Sequence, residues 1–181
     1  RGEALLAQEL FHAQQDNQFE RPETETIEQR NTRNSYVEGD ANYVQELYEQ
    51  RCETTWSGTC YRPDRTAVPD TTGIDDGMSR LFRQPYESGY AFVQDRHQQT
   101  GWDAVNSLYE QPPASTEQVI HPGTYREDDP TELRVSDRST DRWRPLEANG
   151  ERLTESLGEG GLYVSLLGPT LEREGYGVVI P

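Results

Sequence analysis

The chain carries 33 acidic side chains against 17 basic ones, a formal net charge of −16 in 181 residues. All 17 basic residues are arginine, although lysine is among the commonest residues of globular proteins. Only 31% of the residues are hydrophobic, but three Trp, ten Tyr and four Phe are present. Because disordered acidic chains are poor in aromatic residues, this composition predicts a folded protein. Its core must be modest and enclosed by a strongly acidic shell.

The charge balance excludes several classes of function. Nucleic-acid binding depends on neutralising phosphates with basic side chains, and the excess here has the opposite sign. An anionic membrane surface is disfavoured for the same reason, and no apolar run reaches the roughly 18 residues of a membrane-spanning helix. An acidic shell without lysine is instead expected of a halophilic protein, because at molar salt the Debye length falls to about 3 Å and screens the self-repulsion. The alternative is an ordinary acidic protein that lacks lysine by chance.

Two cysteines, Cys52 and Cys60, flank a short polar loop with Ser57 and Gly58 at its centre. Such a loop is well suited to closure by a disulfide bond. A disulfide would indicate an extracellular or cell-surface location. Two free thiols in a cytosolic protein are the alternative, and a zinc site at this pair would lack its remaining ligands nearby.

Helical periodicity dominates the first two thirds of the chain. Leucines recur at helical spacing in residues 3–17 and predict an amphipathic helix. A second helix is predicted over residues 25–50, although Gly39 inside it costs about 1 kcal/mol relative to alanine and therefore calls for a packing or site reason. Two more helices are predicted over residues 86–98 and 102–109. Six tyrosines follow helical spacing and are predicted to lie in the core: Tyr36, Tyr43, Tyr48, Tyr86, Tyr90 and Tyr109.

The last third of the chain is more polar. Ser115 resembles an N-cap, and a short helix is predicted from it into Val119 and Ile120. The polar stretch 126–152 has one strand-like run, at 132–135. A helix over 153–167, or a strand over 162–167, and an extended segment over 176–180 are expected to follow. The predicted fold class is mainly α, with little β.

The first helix contains a candidate site. Positions Gln8 and His12 lie on one helix face and Glu9 lies beside them, which is the geometry of the HExxH zinc motif with its first His replaced by Gln. A Glu three residues before a His also arises by chance in solvent-facing helices. However, the next helix contains VEGDA at residues 37–41, and Glu38, followed by small residues, is suited to approach a metal held by the preceding helix.

These elements together resemble a known family. The run ALLAQELFHAQQD at residues 4–16 is similar to the helix of gluzincin-type zinc metallopeptidases in the subgroup that reads HExxHALQDQ and continues with an EGDA element. The runs GYAFV at 89–93, GWDAVN at 101–106 and PPASTEQVIHP at 112–122 resemble further elements of this group, which includes surface proteins of haloarchaea. The resemblance covers residues 4–167.

The resemblance implies roles for individual residues. His12 and Glu38 would be zinc ligands, Glu9 would polarise the attacking water, and Gln8 would stand at the first ligand position. His121 would stabilise the oxyanion or orient the substrate. Without zinc, His12 would only hydrogen-bond across the helix pair and His121 would only cap a turn. Sodium, potassium or calcium ions are also expected at so acidic a surface.

Two departures from the family pattern decide the expected function. A neutral amide is a poor zinc ligand, and a catalytic zinc takes three protein ligands and an open fourth position. The sheet that precedes this helix in gluzincins and binds the substrate by strand addition is expected to be absent. We therefore expect a metallopeptidase-like helical core at 1–125, and a polar loop and C-terminal helix or strand at 126–181 packed on the same domain.

The expected protein is a secreted or cell-surface halophilic pseudoenzyme with a structural or binding role. Its expected partners are other protein subunits or surface components. The alternative is an active or weakly active zinc metallopeptidase. An unrelated α-rich halophilic interaction module is a third possibility.

Overall fold

The structure, a computed structural model, describes residues 3–60 and 76–165. The described part is mainly α, as the sequence predicts. In chain order, its helices are α1 (Glu3–Gln18), α2 (Ile27–Thr54), α3 (Asp76–Thr100), α4 (Trp102–Glu110), α5 (Thr116–Ile120) and α6 (159–165). A 3₁₀ turn at Pro122–Thr124 follows α5, and β1 (Glu147–Ala148) pairs antiparallel with β2 (Glu151–Arg152).

Local sequence signals mark several of the helix ends. Thr26 caps α2 through a capping box with Gln29, whose side chain accepts from the Thr26 backbone N–H. Ser115 caps α5 by accepting from the Gln118 backbone N–H, as expected. Gly101, with φ of 73°, separates α3 from α4, because glycine adopts a positive φ without a steric cost.

Helix α3 begins ten residues before the predicted start at Tyr86. It continues through Pro85, which is buried inside it. Proline removes one helical hydrogen bond, so the sequence indicates a break that tertiary packing overrides. The strand expected at 132–135 is wrong, since these residues have no regular structure. Residues 159–165 are helical, and the extended segment expected at 176–180 lies outside the described residues.

The core lies between α2, α3, α4 and α5. It contains nine buried apolar and aromatic side chains: Tyr36, Val37, Tyr43, Phe92, Val93, Val105, Leu108, Tyr109 and Val119. Helices α2 and α3 form its largest interface and cross at two glycines. A Cβ at Gly39 would overlap the backbone carbonyl of Gly89, and a Cβ at Gly89 would overlap that of Ser35. This close approach of the two helix backbones explains why residue 39 is a glycine despite the cost to helix stability.

The chain after the core returns to α2. Glu28 is buried, and its carboxylate accepts hydrogen bonds from the Thr116 N–H (2.6 Å), the Thr116 hydroxyl (2.9 Å) and the Gly158 N–H (2.9 Å). The Glu28 N–H in turn donates to the carbonyl of Ser156 (3.2 Å). One carboxylate therefore joins α2, the start of α5 and the segment that leads into α6.

Candidate functional site at the α1 and α2 contact

Helix α1 packs on α2 through a polar face. Gln8, His12 and Gln15 are spaced by four and three residues and so share one side of the helix, and Gln8 and Gln15 are buried. In contrast, Leu6 and Leu10 are 54% and 63% exposed. The predicted helix is confirmed, but these two leucines do not enter the core.

His12 and Glu38 meet across the two helices. The distance between His12 Nε2 and Glu38 Oε2 is 3.3 Å, and both side chains are half-buried. The hydrogen bond with Glu38 raises the pKa of His12 above its usual range, against the opposing effect of burial, and the charge of Glu9 adds to the rise. The structure therefore brings together two of the residues that the resemblance implies as ligands, with Glu9 close enough to affect His12.

Gln15 holds the other side of the imidazole. Its Oε1 lies 2.7 Å from His12 Nδ1, and its Nε2 lies 3.0 Å from the carbonyl of Val37 and 2.6 Å from the Tyr109 hydroxyl. Because a carbonyl can only accept, Nε2 must face Val37 and Oε1 must face the imidazole. The proton of the imidazole therefore resides on Nδ1, and Nε2 points toward Glu38.

The hydrogen-bond network continues into the core. The Tyr109 hydroxyl donates to Asp40 Oδ2 (2.7 Å), and Gln15 Nε2 lies 3.3 Å from the same oxygen. Asp40 is 1% exposed, and its burial raises its pKa to about 6. Burial and the charge of Asp40 raise the pKa of Tyr109 above its usual range. A connected set of polar side chains thus runs from Glu38 at the surface to Asp40 in the core.

A cavity of about 500 Å³ lies between α2 and α3, and its lining includes Glu38 and Tyr86. Burial raises the pKa of Tyr86, and the charges of Glu38 and Glu9 add to the effect. Tyr86 is exposed rather than in the core, which corrects the expectation from helical spacing. Its hydroxyl therefore lies close to the pair of His12 and Glu38.

His121 lies at the C-terminal end of α5. Its Nε2 is 3.0 Å from Glu159 Oε1. In the described part of the chain, no hydrogen bond or ion pair connects His121 with Glu9, His12 or Glu38. The structure therefore places it in a different set of contacts from the other implied site residues.

The donor set can be compared with the needs of a catalytic zinc. His12 Nε2 and Glu38 Oε2 are suitable donors, and the buried residue at the position where the resemblance implies the first ligand is Gln8. Within residues 3–60 and 76–165, no group of three or more His, Cys, Asp or Glu side chains is arranged to hold a metal ion. Since a catalytic zinc takes three protein ligands, these residues do not fit it.

The predicted disulfide is confirmed. Cys52, at the end of α2, is bonded to Cys60, with a distance of 5.7 Å between their Cα atoms. It closes the loop in which Trp56 packs edge-on against Tyr48. Among the described helices, none has the length and apolar character needed to cross a membrane.

Several members of the network were not identified from the sequence. Gln15 lies three residues after His12, so helical spacing and polarity could have indicated it, whereas no local signal connects Tyr109 with this site. Comparisons of the chain with protein families, with curated proteins and with solved structures find no match.

Proposed function

We propose that this chain is a halophilic secreted or cell-surface protein whose metallopeptidase-like site is non-catalytic and whose role is structural or binding. The observation that carries the proposal is the direct pairing of His12 with Glu38 beside Gln8. In this arrangement the imidazole and the carboxylate that could each bind a zinc ion bind each other instead, and this contact connects α1 to α2. Its partners are other protein subunits or surface components.

The orientation of Gln15 supports this role. With a proton on His12 Nδ1, an unprotonated Nε2 would direct its lone pair at the Glu38 carboxylate, and the two acceptors would repel each other. A second proton on Nε2 removes the repulsion and forms an ion pair, and the raised pKa of His12 is consistent with it. The site is therefore suited to hold a proton between α1 and α2.

An active or weakly active zinc metallopeptidase is the second candidate. The ligand bonds of zinc are about 2.0–2.1 Å long, so two of its tetrahedral ligands lie about 3.3 Å apart. His12 Nε2 and Glu38 Oε2 have this spacing. The same distance therefore suits a shared proton and two ligands of one metal ion, and measurement of bound metal must separate the two candidates.

The deciding experiment is metal analysis of protein purified in molar KCl with zinc supplied. The unaltered protein is compared with Gln8→His, which restores the missing ligand, and with Gln8→His combined with His12→Ala. We expect no stoichiometric zinc in the unaltered protein, zinc in Gln8→His and loss of zinc in the double variant. A peptidase assay on the same samples completes the comparison.

Stoichiometric zinc and peptidase activity in the unaltered protein would overturn the non-catalytic proposal in favour of the second candidate. Absence of zinc from Gln8→His, in a variant that retains the helix content and melting temperature of the unaltered protein, would contradict the derivation of this site from a metal centre. The double variant controls for zinc held by the acidic surface rather than by this site.

The acidic shell supports the halophilic part of the proposal, and the disulfide supports the extracellular part, because such bonds persist in oxidising surroundings. We expect the melting temperature to rise from dilute buffer to molar KCl, since screening removes repulsion among the carboxylates. Sodium chloride serves as a control for a specific effect of potassium. A protein that melts at a higher temperature in dilute buffer would not be halophilic.

A further inference from the structure

The chain between the 3₁₀ turn and α6 forms a pocket of the opposite charge to the rest of the protein. Its volume is about 510 Å³, and its lining includes four arginines against one acidic residue. We call it the arginine pocket and define it by six lining residues: Arg134, Asp137, Arg138, Trp143, Arg144 and Arg152. A concentration of positive charge is unexpected in a chain with a net charge of −16.

Three of these guanidinium groups are available to a ligand. Arg134 contacts Glu132 at 3.4 Å. In the described part of the chain, Arg138, Arg144 and Arg152 form no side-chain hydrogen bond or ion pair, although carboxylates are abundant. Arg152 is balanced in part by Asp137, since hydrogen bonds from Ser139 and then the charge of Arg152 lower the pKa of that carboxyl. Arg138 and Arg144 line the concave surface without a paired charge.

Local hydrogen bonds give the pocket its shape. Asp137 Oδ1 accepts from the Ser139 N–H (2.8 Å), and the Thr140 N–H donates to the carbonyl of Trp143 (2.8 Å). Asn149 and Gly150 have φ of 55° and 83° and join β1 to β2, as in a two-residue hairpin turn. These turns place residues from three separate positions of the polar stretch around one cavity.

The side chains in the arginine pocket define the chemistry of its ligand. Guanidinium groups bind carboxylate, sulfate and phosphate groups through two parallel hydrogen bonds. Trp143 is 76% exposed and offers a flat apolar ring suited to the C–H face of a sugar. In molar salt the Debye length is about 3 Å, so the acidic shell no longer repels an anion while the short-range hydrogen bonds persist.

We propose that the arginine pocket binds a saccharide that carries carboxylate or sulfate groups. An acidic peptide is the competing ligand, but peptides generally bind by adding a strand to a sheet edge or a helix to an apolar groove. Here each strand has only two residues, so the hairpin offers a minimal edge. The combination of several separate guanidinium groups with one flat ring fits a ring-shaped anion better than an extended peptide backbone.

The test is binding measured by titration calorimetry in molar KCl with four defined probes. Tetragalacturonate supplies only carboxylates, sulfated maltotetraose supplies only sulfates, unmodified maltotetraose is the neutral control, and tetraglutamate is the peptide control. We expect at least one of the acidic saccharides to bind, and to bind more tightly than both controls. The acidic saccharide that binds more tightly identifies the anionic group.

Variants locate the binding. Arg138→Gln and Arg144→Gln should each weaken binding about tenfold or more, because each removes a charge-assisted contact. Arg83→Gln is the matched control, since Arg83 lies on α3 and pairs with Glu87 outside the arginine pocket. Circular dichroism of each variant verifies the helical fold. The proposal is overturned if neither acidic saccharide binds, if Arg83→Gln weakens binding equally, or if tetraglutamate binds as tightly as the better saccharide.

Discussion

The buried carboxyl of Asp40 makes a quantitative prediction about stability. Its pKa is raised from 3.8 to about 6, mainly by burial, despite hydrogen bonds from Tyr109 and Gln15 that lower it. A difference of about two pKa units between the unfolded and folded states corresponds to about 3 kcal/mol. The ionised form of this group is therefore disfavoured in the fold, and the free energy of unfolding must depend on pH.

The sign follows from which state holds the proton. Well below pH 3.8 the group is protonated in both states, and well above pH 6 it is ionised in both. Between these values the folded protein binds more protons than the unfolded chain, so stability falls as pH rises. Because part of this change occurs below pH 4, Asp40 alone should lower the free energy of unfolding by about 2 kcal/mol between about pH 4 and pH 7.

The substitution Asp40→Asn isolates this contribution. The amide oxygen can still accept from Tyr109, and the side chain no longer ionises. Asp40 Oδ1 is buried with no hydrogen-bond partner in the described structure, so an amide nitrogen at that position would cost about 1–3 kcal/mol at every pH. The informative quantity is therefore the change with pH in the free-energy difference between variant and unaltered protein, rather than its absolute value.

Urea unfolding in molar KCl, followed by tryptophan fluorescence, measures this difference from pH 4 to pH 7. We expect the stability of Asp40→Asn to rise by about 2 kcal/mol relative to the unaltered protein across that range. Asp129→Asn, an exposed loop substitution, controls for the loss of one formal charge. A difference for Asp40→Asn that stays constant with pH would show that burial does not raise the pKa of Asp40.

Two further predictions concern close contacts of glycines. Gly39→Ala should lower the free energy of unfolding by about 2 kcal/mol, because the new Cβ overlaps the Gly89 backbone and overpacking outweighs the gain in helix propensity. Gly123→Ala meets no atom within 4 Å and is its control in thermal melting, where equal melting temperatures of the two variants would contradict the close crossing. Gly158→Ala should cost about 2 kcal/mol by displacing the Glu28 carboxylate from its hydrogen bonds. Limited proteolysis should then cut the segment before α6 sooner, and an unchanged cleavage rate would show that this carboxylate does not hold the segment.

Much of the helical architecture could be predicted because its signals are local. The apolar spacing in residues 25–50 and the cap at Ser115 depend on neighbours within a few residues, and α2 and α5 form there. The early start of α3 could not be predicted, because Pro85 is a local signal against a helix. In the packed structure Pro85 is buried inside α3, and tertiary packing allows the helix to continue through it.

The candidate site was likewise predictable only in part from the sequence. Helical spacing is enough to place Gln8 and His12 on one side of α1, and the VEGDA run indicated Glu38 as their partner. The orientation of α1 required the tertiary structure, because helical periodicity favours burial of leucines, whereas Gln8 and Gln15 are the buried residues. The contact of Tyr109 with Gln15 joins residues 94 positions apart, a separation that local patterns do not predict.

The amino-acid sequence is enough to predict a mainly α protein with an acidic surface, a loop suited to closure by a disulfide, and a set of residues that can pair at one site. These properties depend on composition and on short spacings along the chain. The tertiary structure alone decided that α1 turns its polar face inward, that Gln15 orients His12 toward Glu38, and that several arginines surround one pocket. Each depends on groups brought together from distant parts of the chain, where packing and hydrogen bonding outweigh local preference.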